Sequence, residues 1–74
     1  MRKPDPRVAE KVRRAIVTLT AIQGYPPSIT QLAGVVGVSR TVVFGTLRRE
    51  ERAGRVTHDP GAYRSWRVIE AQPA

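Results

Sequence analysis

Ser28-Ile29-Thr30-Gln31-Leu32-Ala33-Gly34-Val35-Val36-Gly37-Val38-Ser39-Arg40-Thr41-Val42-Val43 is the stretch that decides the fold. Ser28 and Gln31 have the spacing of a capping box: the Ser hydroxyl accepts from the Gln31 backbone N–H, and the Gln31 side chain returns to Ser28. A helix therefore opens at Ile29. Ile29, Leu32, Ala33 and Val36 form its inner face, and Gly37 stops it. Gly34 within it costs up to ~1 kcal/mol relative to Ala, so this short helix depends on tertiary packing. Ser39 is the N-cap of the next helix, which runs from Arg40 to Ala53 with Gly54 as its stop. Two helices that cross steeply need a small side chain at closest approach, which Ala33 supplies. The turn Gly37-Val38-Ser39 needs a residue at positive φ, which Gly37 supplies. Val43 must then face inward. This is the spacing of a helix-turn-helix unit.

Working outward, Asp5-Pro6 opens a first helix, with Asp as cap and Pro at the first helical position. Val8, Val12, Ile16, Leu19 and Ile22 follow as one apolar stripe. Gly24 ends it, and Pro26-Pro27 blocks continuation. After Gly54 the period changes. Val56-Thr57-His58 reads as a short strand, Asp59-Pro60-Gly61-Ala62 as a tight turn, and Tyr63 to Ile69 as a second strand. Strand alternation puts Arg64, Trp66 and Val68 on one face and Tyr63, Ser65, Arg67 and Ile69 on the other. Trp66 is expected in the core, holding the hairpin to the first and third helices. His58 is expected to be an ordinary strand residue.

The 74 residues allow one domain, 1–74, with an ordered core over about 5–69, a flexible basic N-terminus and a frayed C-terminus. The fold class expected is α+β, mainly α: three helices followed by a two-stranded hairpin. Val, Ile, Leu and Phe supply 18 residues, enough for a small core and too many for a disordered chain. The absence of cysteine excludes disulfides, thiolate catalysis and cysteine-bound zinc, and one histidine builds no metal site. No paired-carboxylate or phosphate-loop pattern is present. The sequence therefore points away from an enzyme and implies no cofactor and no small-molecule ligand.

Thirteen Lys and Arg against six Asp and Glu give a net charge of +7, and eleven of the cations are Arg. Arg is the cation best suited to bidentate contact with phosphate and guanine, so nucleic acid is the first partner to consider. Residues 15–39 carry no charge at all, yet Gly24, Pro26, Pro27, Gly34 and Gly37 interrupt them, which argues against a membrane span. A cytoplasmic protein, nucleoid-associated when bound, is expected.

A helical wheel with Val43 as origin places Leu47, Glu50 and Thr46 within about 60° of the core direction, and Thr41, Gly45, Arg48 and Arg52 at roughly 140–200°. Arg40 and Phe44 lie on the flank between. The outward stripe, Thr41, Gly45 and Arg48, is the candidate DNA-reading surface, with Ser39 and Arg40 at its N-terminal tip and Arg52 further along. Thr41 and the helix N-terminus suit a phosphate or a thymine methyl, and Arg48 suits guanine O6/N7 or a phosphate. Phe44 is either a border core residue or a thymine-methyl contact. Gly45 either admits close approach to DNA or is merely tolerated. In the hairpin, Arg64 and Tyr63 are the candidate contacts to phosphate or the minor groove. Arg2 and Lys3 form either a basic arm or a disordered tail.

Gly24-Tyr25-Pro26-Pro27-Ser28-Ile29, Gln31-Leu32-Ala33, Gly37-Val38-Ser39-Arg40-Thr41 and Gly54-Arg55-Val56 resemble the winged helix-turn-helix domain. The Gly-Tyr-Pro-Pro-Ser entry resembles the N-terminal DNA-binding domain of LexA repressors. The turn and third helix resemble GntR- and MarR-type repressors equally. The resemblance covers roughly residues 6–69. It implies a third helix, 40–53, in the major groove and a wing, 59–64, on the backbone or minor groove, with Pro27-Ser28-Ile29 as at most a vestigial strand. It implies a repressor-like transcriptional regulator, of phage type or otherwise, whose partner is double-stranded DNA, read either alone or as a homodimer. The sequence departs from the family pattern at Glu50 and Arg55, where aliphatic residues are usual, and at Gly45, where a polar reading residue is usual. Glu50 either pairs with Arg13 or Arg14, faces a partner subunit, or, most simply, sits in water at the edge of the core. The competing function is a winged-helix module that binds an acidic protein without reading DNA.

Overall fold

Three helices open on the caps that the sequence supplies. The computed structural model describes residues 5–61 and 64–69. Helix α1 spans Pro6–Gln23, α2 Ile29–Val36 and α3 Arg40–Arg52, followed by strands β1, Val56–Thr57, and β2, Arg67–Val68. The Asp5 side chain accepts from the Arg7 N–H at 2.9 Å and caps α1. Both halves of the Ser28–Gln31 capping box form, each at 3.1 Å. The Ser39 hydroxyl accepts from the Val42 N–H at 3.1 Å and caps α3. Gly37 takes φ +82°, and α3 leaves the turn bent by 105° from α2. That bend lies inside the ~90–120° range of DNA-binding helix pairs.

The core is formed by Val12, Ala15 and Ile16 from α1, Leu32 from α2, Val43 and Leu47 from α3, Val56 from β1, and Trp66. Val8, Leu19, Ile29, Ala33, Val36 and Val68 pack around it. Ile22 breaks the expected stripe and is 76% exposed. Spacings of three at the end of the stripe move Ile22 roughly 80° off the direction of Val12, out of the core.

The end of α3 explains two departures from the family pattern. The Gly54 N–H donates to the Glu51 carbonyl at 3.0 Å, and the Arg55 N–H to the Glu50 carbonyl at 2.9 Å. With Gly54 at φ +78°, this is a Schellman cap. The helix therefore ends at Arg52, one residue earlier than expected, with Ala53 as its cap. A Schellman cap lays the residue after Gly over the helix residue five positions back, and an apolar contact commonly joins the two. Here the two are Arg55 and Glu50. Glu50 is only 3% exposed and is not in water as the simplest reading held. Its carboxylate accepts from Arg55 Nε and Nη2 at 2.9–3.1 Å and from Arg13 on α1. The Arg55 hydrogen bonds, with help from Arg13, outweigh burial and hold the Glu50 pKa below its ordinary value of 4.5. The Arg55 pKa is raised in return by Glu50.

The hairpin is shorter and more open than expected. β1 and β2 are antiparallel, with Val56 opposite Val68 and Thr57 opposite Arg67. His58 lies just beyond β1, and Ser65 and Trp66 lie before β2. Strict alternation fails, because Ser65 and Trp66 are both buried while Arg64 is exposed. The cause is Ser65: its hydroxyl accepts from the Asp59 N–H at 3.0 Å and donates to the Asp59 carbonyl at 3.3 Å, replacing ladder pairing across the loop. The His58 ring stacks on Trp66, centroids 4.1 Å apart, and its Nδ1 lies 2.7 Å from the Glu51 carboxylate. These contacts tie the base of the wing to the last turn of α3. Among the described residues the sheet has two strands, so Pro27-Ser28-Ile29 forms none. The fold is a winged helix-turn-helix: a three-helix bundle with a two-stranded hairpin.

Candidate nucleic-acid interface

Helix α3 places its side chains as a 3.6-residue repeat requires. Val43, Thr46, Leu47 and Glu50 are buried, and the opposite side carries the predicted reading residues. Ser39, Arg40, Thr41, Phe44, Arg48 and Arg52 are all exposed. The Ser39 hydroxyl is used as an acceptor by the cap and keeps its own proton to donate outward. No acidic residue stands in the first turn of α3, where a carboxylate would complement the helix dipole. Arg40 stands there instead, so the tip of α3 combines free backbone N–H groups with a cation. That combination attracts anions.

Phe44 is 46% exposed and takes no part in the core. Arg48, one turn on, sets its guanidinium 5.7 Å from the Phe44 ring centroid, within cation–π range. The pair presents a planar donor fork beside an apolar face, the complements of the guanine O6/N7 acceptors and the thymine methyl in a major groove. Gly45 lies on the same face, partly covered. A Cβ there meets nothing closer than Arg49 Nη1 at 3.7 Å, an ordinary contact, so the fold itself does not need glycine at this position.

Sequence reasoning left out Arg49. It is exposed, and its Nη2 donates to Thr46 Oγ1 at 3.4 Å. On the wheel it flanks the outward stripe, a signal that was available in the sequence. Also missed was the setting of Arg64. Arg64 is exposed, yet its Nη1 donates to Gln31 Oε1 at 2.6 Å and its guanidinium lies 5.3 Å from the Tyr25 ring centroid. Gln31 also accepts from and donates to Gln23 at the end of α1. The wing arginine is thus drawn toward the N-terminal end of α2, and the capping box doubles as its anchor. Periodicity carries no trace of this cluster, because its members lie on three separate elements. Tyr63, Arg2 and Lys3 lie outside the described residues, as does the tail from Glu70.

Among the described residues, every carboxylate is engaged. Asp5 meets Arg7, Glu10 meets Arg14, Glu50 meets Arg13 and Arg55, Glu51 meets His58, and Asp59 meets Arg67. No carboxylate of the described residues reaches Arg40, Arg48, Arg49 or Arg52. The positive charge of α3 therefore stands uncompensated on one exposed face.

Comparison with known proteins gives a consistent answer. The chain is similar to the LexA repressor of Exiguobacterium sibiricum, 34% identical over 74 residues covering 99% of this chain and 36% of the relative. It is similar to the LexA repressor of Desulforamulus reducens, 33% identical over 64 residues, 85% of this chain and 30% of the relative. It is also similar to that of Oceanobacillus iheyensis, 36% identical over 52 residues, 69% of this chain and 25% of the relative. The similarity falls in the N-terminal region of these repressors. The chain spans about a third of the length of the curated relatives it matches. No family model matches it. Among the described residues, no single helix is long and apolar enough to cross a membrane.

Proposed function

We propose that this chain is the double-stranded DNA-binding unit of a transcriptional regulator of repressor type, acting in the cytoplasm on the nucleoid. Helix α3 enters the major groove and the wing lies on the backbone or minor groove. Arg48 takes guanine O6/N7, Phe44 lies against a thymine methyl, and Gly45 admits the helix close to the base edges. Ser39, Arg40, Thr41 and the α3 N-terminus hold one phosphate, and Arg49 and Arg52 hold others. Tyr63 and Arg64 meet the backbone from the wing. The chain works through binding alone, with no catalytic step and no cofactor.

The observation that carries this reading is the sorting of charge. Carboxylates neutralise the arginines of α1 and of the wing base, and leave α3 with four arginines that meet none among the described residues. A solubilising charge has no reason to collect on the one helix that the fold projects at 105° from its neighbour. The similarity to LexA repressors supports a regulatory role.

Selection of bound sites from a random duplex pool tests it. An enriched motif is expected, with log K falling against log salt at a slope of about −5 to −7 if roughly six to eight phosphates are neutralised. A palindromic motif would report a two-fold reader, and hence a homodimer on DNA. Equal weak binding to all duplexes, with no enrichment after repeated rounds, overturns the proposal.

A further inference from the structure

Away from α3, the edge of the core opens onto an apolar surface that the proposed DNA contact does not use. A groove of about 360 Å³ runs between α1 and the C-terminal half of α2. Ala15, Leu19, Val35 and Val36 form its apolar lining, and Lys11 and Arg14 stand at its rim. Val35 is 61% exposed although Leu32, one turn earlier on α2, is fully buried. Ile22, the residue that left the expected core stripe, lies on the same line of α1 as Lys11, Ala15 and Thr18, because spacings of four, three and four stay on one helix face. The apolar strip thus continues toward the end of α1. No residue of α3 lines the groove.

The rim decides what fits. Among the described residues Lys11 meets no carboxylate, and the Arg14–Glu10 pair is exposed on both sides, so it screens little and exchanges readily. A partner must bring apolar side chains flanked by negative charge. A second copy of this chain is poorly suited. It carries a net charge of +7, and all five carboxylates among its described residues are already engaged by its own side chains. We propose that the α1–α2 groove docks an amphipathic helix with an acidic flank from a partner protein. Apolar anchors one turn apart fill the groove, and the flank meets Lys11 and Arg14. Since α3 takes no part, the partner and DNA occupy the protein together.

The test uses the full chain, ¹⁵N-labelled, and a synthetic helical peptide of about four turns with Leu on one face and Glu beside it. A twin peptide with Lys in place of each Glu is the control. Amide shifts are expected at Lys11, Ala15, Thr18 and Val35 with the acidic peptide and not with its twin. Lys11→Glu is expected to weaken binding about tenfold through like-charge contact. Val35→Glu is expected to abolish it while leaving duplex affinity within about twofold. Both positions are exposed, and an unchanged spectrum elsewhere shows that the variants fold. Absence of shifts, shifts confined to the α3 arginines, or equal binding of both peptides would overturn the proposal. So would self-association in sedimentation that Val35→Glu removes, because a second copy is then the occupant. Loss of duplex affinity in Val35→Glu would place the groove in the DNA surface and overturn it as well.

Discussion

Replacing Glu50 and Arg55 together by leucine is expected to leave the protein as stable as before or more so. The Schellman cap sets these two side chains against each other, where an apolar contact is the common arrangement. Exchange of a fully buried ion pair for apolar residues ranges from neutral to about 4 kcal/mol stabilising, but here only Glu50 is buried, the Arg55 side chain being 55% exposed. Here Arg13 stays behind, with 28% of its side chain exposed, and it reaches water when the carboxylate is gone. The expected gain is therefore at the low end, about 0–2 kcal/mol. Stranding the carboxylate is the opposite case. Arg13→Ala combined with Arg55→Ala leaves Glu50 buried without a cation, at a cost of about 3–5 kcal/mol. That figure belongs to the burial of Glu50, not to the exposed guanidiniums. It is a large share of the roughly 4–11 kcal/mol expected for a chain of this length. The pH dependence follows from the lowered pKa of Glu50. The unfolded chain binds the proton more tightly, so the stabilisation is full above pH 4.5 and is lost as pH falls through the lower folded value. The double leucine variant loses that acid-side slope. Urea unfolding, followed by Trp66 fluorescence and helical circular dichroism from pH 7 down to about pH 2, measures all of this. A double leucine variant destabilised by several kcal/mol, or a double alanine variant within about 1 kcal/mol of the parent, would refute the reasoning.

Three further outcomes follow from the geometry. Gly34→Ala and Gly45→Ala are each expected to stabilise the fold by about 0.5–1 kcal/mol, since neither added methyl meets a clash. Gly45→Ala is also expected to weaken binding to the selected duplex while Gly34→Ala leaves it unchanged, and paired melting curves and titrations separate the two effects. Arg48→Ala is expected to cost about 1–3 kcal/mol in duplex affinity and to relax preference at one base pair. Replacing the matching guanine by 7-deazaguanine, which lacks N7, is expected to weaken the parent and leave Arg48→Ala indifferent; an equal loss on every sequence would make Arg48 a phosphate contact. His58→Ala removes the stack on Trp66 and is expected to cost about 0.5–1.5 kcal/mol, read by urea titration.

The helix-turn-helix was legible because its signals are local. The Ser28–Gln31 box, the glycine at the turn and the inward Val43 each act within a few residues, and the structure places all three as expected. The outward set on α3 was legible for the same reason, since one wheel orders a whole helix. Glu50 was harder. The wheel turned it inward, but its main partner, Arg55, reaches it only because the Schellman cap folds the chain back. Such a cap is visible in sequence as Gly54, while the chemistry it brings together is not. The wing was least legible. Ser65 binds the Asp59 backbone through its side chain, and that single choice shortens both strands and breaks the alternation. The Tyr25–Gln31–Arg64 cluster joins three elements and leaves no periodic mark.

The claim on which the functional account rests is that the exposed arginine face of α3 is the surface that meets DNA. Titration of the ¹⁵N-labelled protein with its selected duplex, read residue by residue, tests it most directly. The largest amide shifts are expected at Ser39, Arg40, Thr41, Gly45 and Arg48, with smaller ones at Arg64 and none along the α1–α2 groove. A bound complex in which α3 stays silent while another face responds would contradict it.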